Sequence, residues 1–322
     1  MSENVLRIRD LSVNYQTDRG VLEAIRHVNL DIPKGSIVGV VGESGCGKST
    51  LITSIIRQLD DNADILNGSI EFEKQDLLKL SLDKMRNISG TKLSIIFQDP
   101  MSTLNPVLSI GRQMIDIQYR DKISKKRKKQ RSIDMLTKVG IPDPRNQLNQ
   151  YPYELSGGMQ QRVSIAMALQ AGPSLLIADE PTTALDTTLE VQILKLLKEL
   201  QEEMGCSILF VSHHLGVIAE LCDHVVVMYA GEIVEQGSTY EIFNNPAHPY
   251  TVKLLECDPA SISKKQNLLP TIPGEIPDLI NISGGCIFKN RCDQSIERCD
   301  KVTPILNKFD THHFVSCHLI ES

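Results

Sequence analysis

The chain has no tryptophan, few other aromatic residues, no positive net charge and no apolar stretch as long as a membrane span. Its 322 residues include 4% aromatics and carry a formal net charge of −6 at pH 7. Single-stranded nucleic acids bind through aromatic stacking platforms, and duplexes are attracted by a positive field. The shortage of both argues against a nucleic-acid-binding protein.

The apolar runs are all short. A membrane-spanning helix needs about 20 predominantly apolar residues. The most apolar runs here have the length of a strand: Ile37–Val41, Ser174–Ala178, Ile208–Val211 and Val225–Met228. The N-terminus is polar and charged, unlike the apolar core of a signal peptide. We therefore expect a cytosolic chain that serves a membrane only through other subunits.

Strand-like and helix-like segments alternate along most of the chain. The predicted strands are Val5–Leu11, Val21–Leu30, Ser36–Val41, Leu93–Phe97, Leu175–Asp179, Ser207–Val211 and Val225–Met228. The predicted helices are Ser49–Gln58, Ser164–Gln170, Leu189–Met204 and Leu215–Leu221. This order predicts an α/β fold with a mainly parallel sheet covered by helices. After Gly237 the chain becomes richer in Pro, Asn, Ser and Cys, so we place a domain boundary near residue 245.

Residues from about 101 to 153 form a polar, helical insert. Within it, the run from Lys122 to Arg131 has seven basic residues in ten. A solvated helix face is the favoured interpretation, because the run lacks interleaved aromatic residues and lies in an acidic chain. A nucleic-acid patch is the alternative.

Residues 42–49, Gly-Glu-Ser-Gly-Cys-Gly-Lys-Ser, fit the P-loop pattern between a predicted strand and a predicted helix. The glycines let backbone N–H groups turn toward phosphate oxygens, and the helix N-terminus adds a favourable dipole. We expect Lys48 to reach the β- and γ-phosphates and the Ser49 hydroxyl to bind Mg²⁺. The predicted ATP-binding residues of this loop are Gly42, Ser44, Gly45, Cys46, Gly47, Lys48, Ser49 and Thr50.

An apolar predicted strand ends in two carboxylates, Asp179 and Glu180. Asp179 is suited to hold Mg²⁺ directly or through water. Glu180 is the candidate general base that polarises the attacking water, a role worth about 10²- to 10⁴-fold in rate. With the P-loop, these residues indicate only a P-loop NTPase. They do not decide among the classes of such proteins, and they would also fit a kinase, a helicase or a GTPase.

Residues 155–162, Leu-Ser-Gly-Gly-Met-Gln-Gln-Arg, indicate which class of P-loop NTPase this is. In order with the P-loop and the two carboxylates, this segment resembles the signature motif of ATP-binding-cassette (ABC) proteins. The resemblance implies a RecA-like cassette over residues 1–245, with an antiparallel β edge and a helical subdomain over about 99–160. It also implies that two such subunits pair head to tail. The signature residues that would contact ATP held by the partner are Ser156, Gly157, Gly158 and Gln160.

Further positions match the same family. Tyr15 matches the aromatic residue that stacks on adenine, and Gln98 matches the catalytic glutamine that senses Mg²⁺. Asp186 matches a residue that communicates across the dimer. His213 matches the switch histidine that contacts the γ-phosphate, although His214 follows it where many relatives carry Asp.

Four segments resemble the oligopeptide/dipeptide/nickel importer branch: residues 97–106, 151–154, 245–250 and 270–279. The resemblance implies a MgATP-hydrolysing subunit of a peptide importer at the cytoplasmic face of a bacterial inner membrane. The implied partners are a second related ATPase, two polytopic membrane subunits and an extracytoplasmic binding protein, with no nucleic acid. The alternatives are an importer of nickel or another small solute, and a soluble ABC ATPase acting on nucleic acid or ribosomes.

Four of the eight cysteines lie in the last 37 residues, within a small Cys-rich C-terminal extension (residues 246–322). Reducing cytosol argues against a disulfide framework. The C-x2–4-C pairs of zinc sites are missing, whereas four thiolates can hold a [4Fe–4S] cluster. Because several dipeptide-type relatives carry a cluster at similar tail cysteines, we predict one at Cys286, Cys292, Cys299 and Cys317. Zinc and free thiols are the alternatives, and three nearby histidines could be substitute ligands: His312, His313 and His318.

Overall fold

A computed structural model describes residues 3–99, 103–183, 185–258, 270–280, 282 and 284–320. Residues 100–102 of the importer-like segment 97–106 therefore lie outside the described residues. The chain forms two compact units, unit 1 with residues 1–79 and 210–322 and unit 2 with residues 80–209. The predicted boundary near residue 245 and the subdomain over 99–160 stay predictions.

Twelve strands are described. In chain order they are β1 (Asn4–Thr17), β2 (Gly20–Pro33), β3 (Ile37–Val41), β4 (Ala63–Phe72), β5 (Gln75–Asp76), β6 (Leu93–Ile96), β7 (Leu175–Asp179), β8 (Ser207–Val211), β9 (His224–Tyr229), β10 (Glu232–Ser238), β11 (Asn307–Asp310) and β12 (His313–Val315). The seven predicted strands are confirmed, although β1 continues from the predicted end at Leu11 to Thr17. The other strands differ from the predictions by a few residues at most.

Eleven α-helices are described. They are α1 (Lys48–Ile56), α2 (Leu82–Ile88), α3 (Ile110–Asp116), α4 (Lys125–Lys138), α5 (Pro144–Gln147), α6 (Gly157–Leu169), α7 (Thr187–Met204), α8 (Leu215–Leu221), α9 (Thr239–Asn244), α10 (Pro249–Glu256) and α11 (Arg298–Lys301). The four predicted helices are confirmed, although the one predicted over Ser164–Gln170 begins earlier, at Gly157. Most basic side chains of the run from Lys122 to Arg131 are exposed, as a solvated helix face requires.

Unit 1 contains an antiparallel sheet in the order β2-β1-β4-β5. Alternate apolar side chains of β1, such as Leu6 and Ile8, are fully buried, as expected when one face of a sheet covers a core. β4 was not predicted, since most of its residues are exposed or only half-buried and its apolar pattern is weak.

The second sheet region of unit 1 has the order β11-β12-β10-β9-β3. β3 runs parallel to β9, whereas β10 and β12 pair antiparallel. All five residues of β3 are buried, which explains its continuous apolar run. β11 and β12 belong to the C-terminal extension, so the extension adds strands to this sheet.

A buried carboxylate on β10 forms hydrogen bonds to the C-terminal extension. Glu235 is fully buried, and its oxygens accept the backbone N–H groups of Ala247 at 2.8 Å and His248 at 3.1 Å. The same carboxylate lies 2.6 Å from Nε2 of His313 on β12. His313 is thus engaged in the interior of the unit rather than available beside the tail cysteines.

In unit 2, β6 and β7 pair in parallel, with Leu93 opposite Leu175. The long helix α7 buries Ile193, Leu197 and Leu200 along one stripe, the spacing of an amphipathic helix. This arrangement places the carboxyl ends of β6 and β7 side by side, and it is these ends that carry the predicted Gln98, Asp179 and Glu180.

Candidate functional site

The phosphate loop connects β3 to α1 in unit 1. Gly45 and Gly47 have φ values of +81° and +105°, in the left-handed region that glycine adopts without strain. A Cβ atom at Gly42 would stand 2.1 Å from the Met228 carbonyl oxygen and 2.8 Å from Cys46 Sγ. The loop can therefore follow this path only with glycine at position 42.

Lys48 lies at the first turn of α1, with 8% of its surface exposed. Its Nζ donates to the carbonyl oxygens of Gly42 at 2.7 Å and Glu43 at 3.2 Å. The ammonium group is thus held against the loop, as a phosphate-binding lysine needs. The neighbouring Ser49 is exposed and Thr50 half-buried, so the Ser49 hydroxyl is accessible to a ligand.

Cys46 differs in exposure from the residues at the tip of the phosphate loop. Its side chain is 2% exposed, and burial raises the pKa of its thiol. Its backbone N–H donates to the Glu43 carbonyl at 3.2 Å. In contrast, Ser44 and Gly45 at the tip of the loop are exposed. The tip is therefore the part of the loop that is open to phosphate.

In unit 2 the structure brings Gln98 and Glu180 together. Gln98 Nε2 donates to Glu180 Oε2 at 3.1 Å, and the Thr183 hydroxyl donates to the same oxygen at 3.0 Å. Glu180 has φ of +43°, a left-handed conformation that is uncommon for a residue other than glycine and recurs at functional sites. Two donors and a strained backbone thus fix the direction of this carboxylate. Thr183 was not predicted, because no sequence pattern singles it out.

The signature segment begins helix α6. Ser156 is the N-cap residue, and its hydroxyl accepts the Met159 N–H at 3.4 Å. Ser156 and Gly157 are exposed, whereas a Cβ at Gly158 would stand 3.1 Å from a Leu189 methyl group. The start of α6 therefore presents an exposed helix N-terminus, the type of site that binds anions.

Two glutamines of this segment point inward. Gln160 is 5% exposed, and its Nε2 donates to the carbonyls of Pro152 at 2.9 Å and Leu155 at 3.2 Å. Its predicted contact with a partner's ATP stays a prediction. Gln161 Nε2 donates to the Pro181 carbonyl at 2.6 Å, which connects the signature helix to the segment after Glu180. Gln161 is not among the predicted site residues.

The remaining predicted residues lie at ends or edges of elements. Asp186 caps α7, with its Oδ1 accepting the N–H groups of Thr188 and Leu189 at 3.0 Å. His213 is exposed and packs edge-on against His214, with ring centroids 4.3 Å apart. Tyr15 is half-buried on β1. Tyr15, the phosphate loop and His213 belong to unit 1, and the carboxylates and the signature belong to unit 2.

The four predicted cluster cysteines carry free thiols in the extension. The Cys286 N–H donates to the Cys299 carbonyl at 2.8 Å. Burial, with a smaller contribution from the neighbouring thiols of Cys299 and Cys317, raises the pKa of Cys286 to about 12. Across the described part of the chain, however, no three His, Cys, Asp or Glu side chains form a group that could hold a metal ion. The thiol positions therefore do not fit a cluster as they stand.

Two family models match the chain: the ABC transporter model over residues 25–183, and the C-terminal region of oligopeptide/dipeptide transporters over residues 234–299. The dipeptide transport ATP-binding protein DppD of Bacillus subtilis is 45% identical over 98% of this chain and 95% of its own length. The oligopeptide transport protein OppD of the same organism is 44% identical over 98% of this chain and 89% of its own length. The chain belongs to the ABC transporter ATPases of the oligopeptide/dipeptide class.

Solved structures confirm the fold of this ABC ATPase. A dimeric ATP-binding cassette bound to ADP and Pi is 28% identical, with a TM-score of 0.65 over 73% of this chain and 98% of that chain. The subunit cbiO1 of an ABC transporter complex of Clostridium perfringens is 29% identical, with a TM-score of 0.65 over 79% of this chain and 96% of that chain. The predictions of an ABC cassette and of ATP hydrolysis coupled to transport are confirmed. Among the described residues of this ABC ATPase, no helix has the length and apolarity to cross a membrane.

Proposed function

We propose that this ABC ATPase drives the import of di- or oligopeptides. The observation that carries the proposal is the match of residues 234–299 to the C-terminal region of oligopeptide/dipeptide transporters. Relatives that align along nearly the whole chain support it, since they are named for peptide, oligopeptide and dipeptide transport.

Within this function, the predicted residues take the following roles. Lys48 and the exposed loop tip bind the ATP phosphates, Ser49 and Asp179 hold Mg²⁺, and Glu180 polarises the attacking water. The hydrogen bond from Gln98 to Glu180 supports the assignment of both to the hydrolytic step. The exposed N-terminus of α6 serves the γ-phosphate of an ATP molecule held by a partner cassette.

The proposed assembly follows from the same class of transporter. The partners are a second, related ATPase, two polytopic membrane subunits and an extracytoplasmic binding protein, with this chain at the cytoplasmic face of the membrane. Each ATP then lies between the phosphate loop of one cassette and the signature of the other, so ATP binding closes the pair and hydrolysis releases it. Closure moves the membrane subunits.

Peptide cargo is tested by reconstituting the assembly in vesicles with its membrane subunits and binding protein. Di- and oligopeptides are expected to stimulate ATP hydrolysis, because cargo delivered by the binding protein promotes closure of the cassettes. A nickel complex and a sugar serve as controls of matched concentration. Stimulation by nickel and not by peptides would contradict the peptide assignment while leaving the ATPase assignment intact.

The iron–sulfur cluster stays a prediction, supported by the number and spacing of the four tail cysteines and opposed by their positions in the structure. If the cluster forms, protein purified without oxygen is expected to be brown and to contain iron and acid-labile sulfide in equal amounts. Cys299→Ser should lose the colour, whereas Cys257→Ser, in the same extension but outside the predicted set, should keep it. Colourless wild-type protein that contains zinc or no metal would rule out the cluster.

A further inference from the structure

The C-terminal extension reaches the phosphate loop through the side chain of Arg291. Its guanidinium makes a bidentate ion pair with Glu43, the second residue of the loop, with Nη1–Oε2 at 2.7 Å and Nη2–Oε1 at 3.1 Å. The two residues are 248 positions apart, and Arg291 is 6% exposed. A buried residue of the extension is therefore a direct neighbour of the candidate ATP site.

The other donors of Arg291 are also engaged. Nε donates to the Pro273 carbonyl at 3.0 Å, and Nη2 to the Ile272 carbonyl at 3.2 Å. Nη1 donates to the Tyr229 hydroxyl at 3.3 Å, and the guanidinium carbon lies 5.7 Å from the centre of that ring. Five contacts match the five N–H donors of a guanidinium, so the head group is held in one orientation. A lysine ammonium has neither the number nor the planar fork of these donors.

The extension holds Glu43 at its backbone as well. The Glu43 N–H donates to the Tyr250 hydroxyl at 3.1 Å. Tyr250 is fully buried and packs against Tyr229 with ring centroids 4.6 Å apart. Phe288 packs edge-on against both rings. Glu43 is thus fixed by a rigid aromatic cluster behind the loop and by Arg291 at its carboxylate.

Glu43 in turn contacts the residues that would bind phosphate. Its carbonyl oxygen accepts from Lys48 Nζ at 3.2 Å and from the Cys46 N–H at 3.2 Å. A shift of Glu43 would therefore move the lysine and the loop backbone together. The Glu43 carboxylate is also a negative charge on a loop that would bind anionic phosphates, and the Arg291 charge offsets it.

We propose that Arg291 is a positioning residue of the ATP site. It fixes the phosphate loop through Glu43, and it neutralises the one carboxylate within residues 42–49, so the extension controls nucleotide affinity. The inference rests on the proposed role of this loop in ATP binding. A buried ion pair is weak evidence for a role in stability alone, because apolar residues of similar volume often serve stability as well or better.

The test is ATP affinity of the full-length chain, measured by equilibrium titration below the melting temperature. Arg291→Gln is expected to weaken ATP binding by about three- to thirtyfold, the range found for positions that act through others. Arg291→Lys keeps the charge without the fork and should recover only part of the affinity. The matched control is Arg19→Gln, which removes the exposed Arg19–Asp278 pair at 2.5 Å, another contact between the cassette and the extension, and should leave affinity unchanged.

Adding Glu43→Gln to Arg291→Gln is expected to restore part of the affinity, since it removes the unpaired carboxylate but not the loss of the contact that positions the loop. Because the titration is made below the melting temperature of each variant, a change in folding stability alone would leave the measured ATP affinity unchanged. Arg291→Gln with a lowered melting temperature but unchanged ATP affinity would overturn the inference, as would a double variant no better than the single one. If Arg291→Gln does not fold, Tyr250→Phe removes only the hydroxyl that accepts the Glu43 N–H, and it should weaken ATP binding by about two- to fivefold; unchanged affinity would also overturn the inference.

Lys48→Ala separates this inference from the proposed function. If Lys48→Ala binds ATP as well as the wild type does, the role of the phosphate loop itself is wrong. If Lys48→Ala loses ATP binding and the Arg291 and Tyr250 variants do not, only the positioning role is wrong.

Discussion

Glu180→Gln is expected to lower the rate of ATP hydrolysis by about 10²- to 10⁴-fold, the contribution of a positioned general base. Glutamine keeps the size of the side chain, and its carbonyl oxygen can still accept from Gln98 and Thr183, which lie 3.1 Å and 3.0 Å from Glu180 Oε2. It cannot accept a proton from the attacking water. The measurement is phosphate release at saturating MgATP, so that a change in ATP affinity does not contribute.

Glu202→Gln is the matched control, because Glu202 is an exposed carboxylate on α7 in the same unit. This substitution removes the same charge and should leave turnover unchanged. Hydrolysis by Glu180→Gln at the wild-type rate would exclude Glu180 as the base.

Gly42→Ala is expected to weaken ATP binding by about ten- to a hundredfold, the effect of losing one hydrogen bond to a charged group, worth about 1.5–3 kcal/mol. The added methyl group would meet the Met228 carbonyl oxygen at 2.1 Å, far inside van der Waals contact. A backbone atom cannot turn away as a side chain can, so residue 42 must move. The carbonyl that accepts from Lys48 Nζ at 2.7 Å would move with it.

Gly216→Ala provides the control for this substitution. Gly216 lies within α8, and a Cβ there would have no atom within 4 Å. Alanine at this site should preserve ATP affinity and raise stability by about 0.5–1 kcal/mol, since glycine is unfavourable inside a helix. A folded Gly42→Ala protein with wild-type ATP affinity would show that the loop tolerates a different path.

The sequence predicts well those parts of the fold that have a strong local pattern. The strands Leu175–Asp179 and Ser207–Val211 agree with the structure to the residue, because buried strands are continuous apolar runs. The P-loop pattern likewise correctly predicts a turn between a strand and a helix, since glycine is required there by φ and by close contacts. In both cases the prediction depends only on the residues of one short segment.

Features that depend on distant parts of the chain could not be predicted in this way. The ion pair between Glu43 and Arg291 joins residues 248 positions apart. No sequence pattern around either residue indicates that the other is its partner. The strained φ of Glu180 follows from the packing around it, because glutamate has no intrinsic preference for that conformation. The sequence gives the number and spacing of the tail cysteines, but it does not show whether folding brings their sulfur atoms close enough to bind one cluster.

The nucleotide retained by the Glu180→Gln protein tests the central claim most directly, namely that this chain binds ATP and uses Glu180 to hydrolyse it. The assembled transporter is incubated with MgATP, freed rapidly of unbound nucleotide, and its bound nucleotide is identified. We predict unhydrolysed ATP on the Glu180→Gln protein and ADP or no nucleotide on the wild type. Bound ADP on the variant, or no nucleotide on either protein, would contradict the claim.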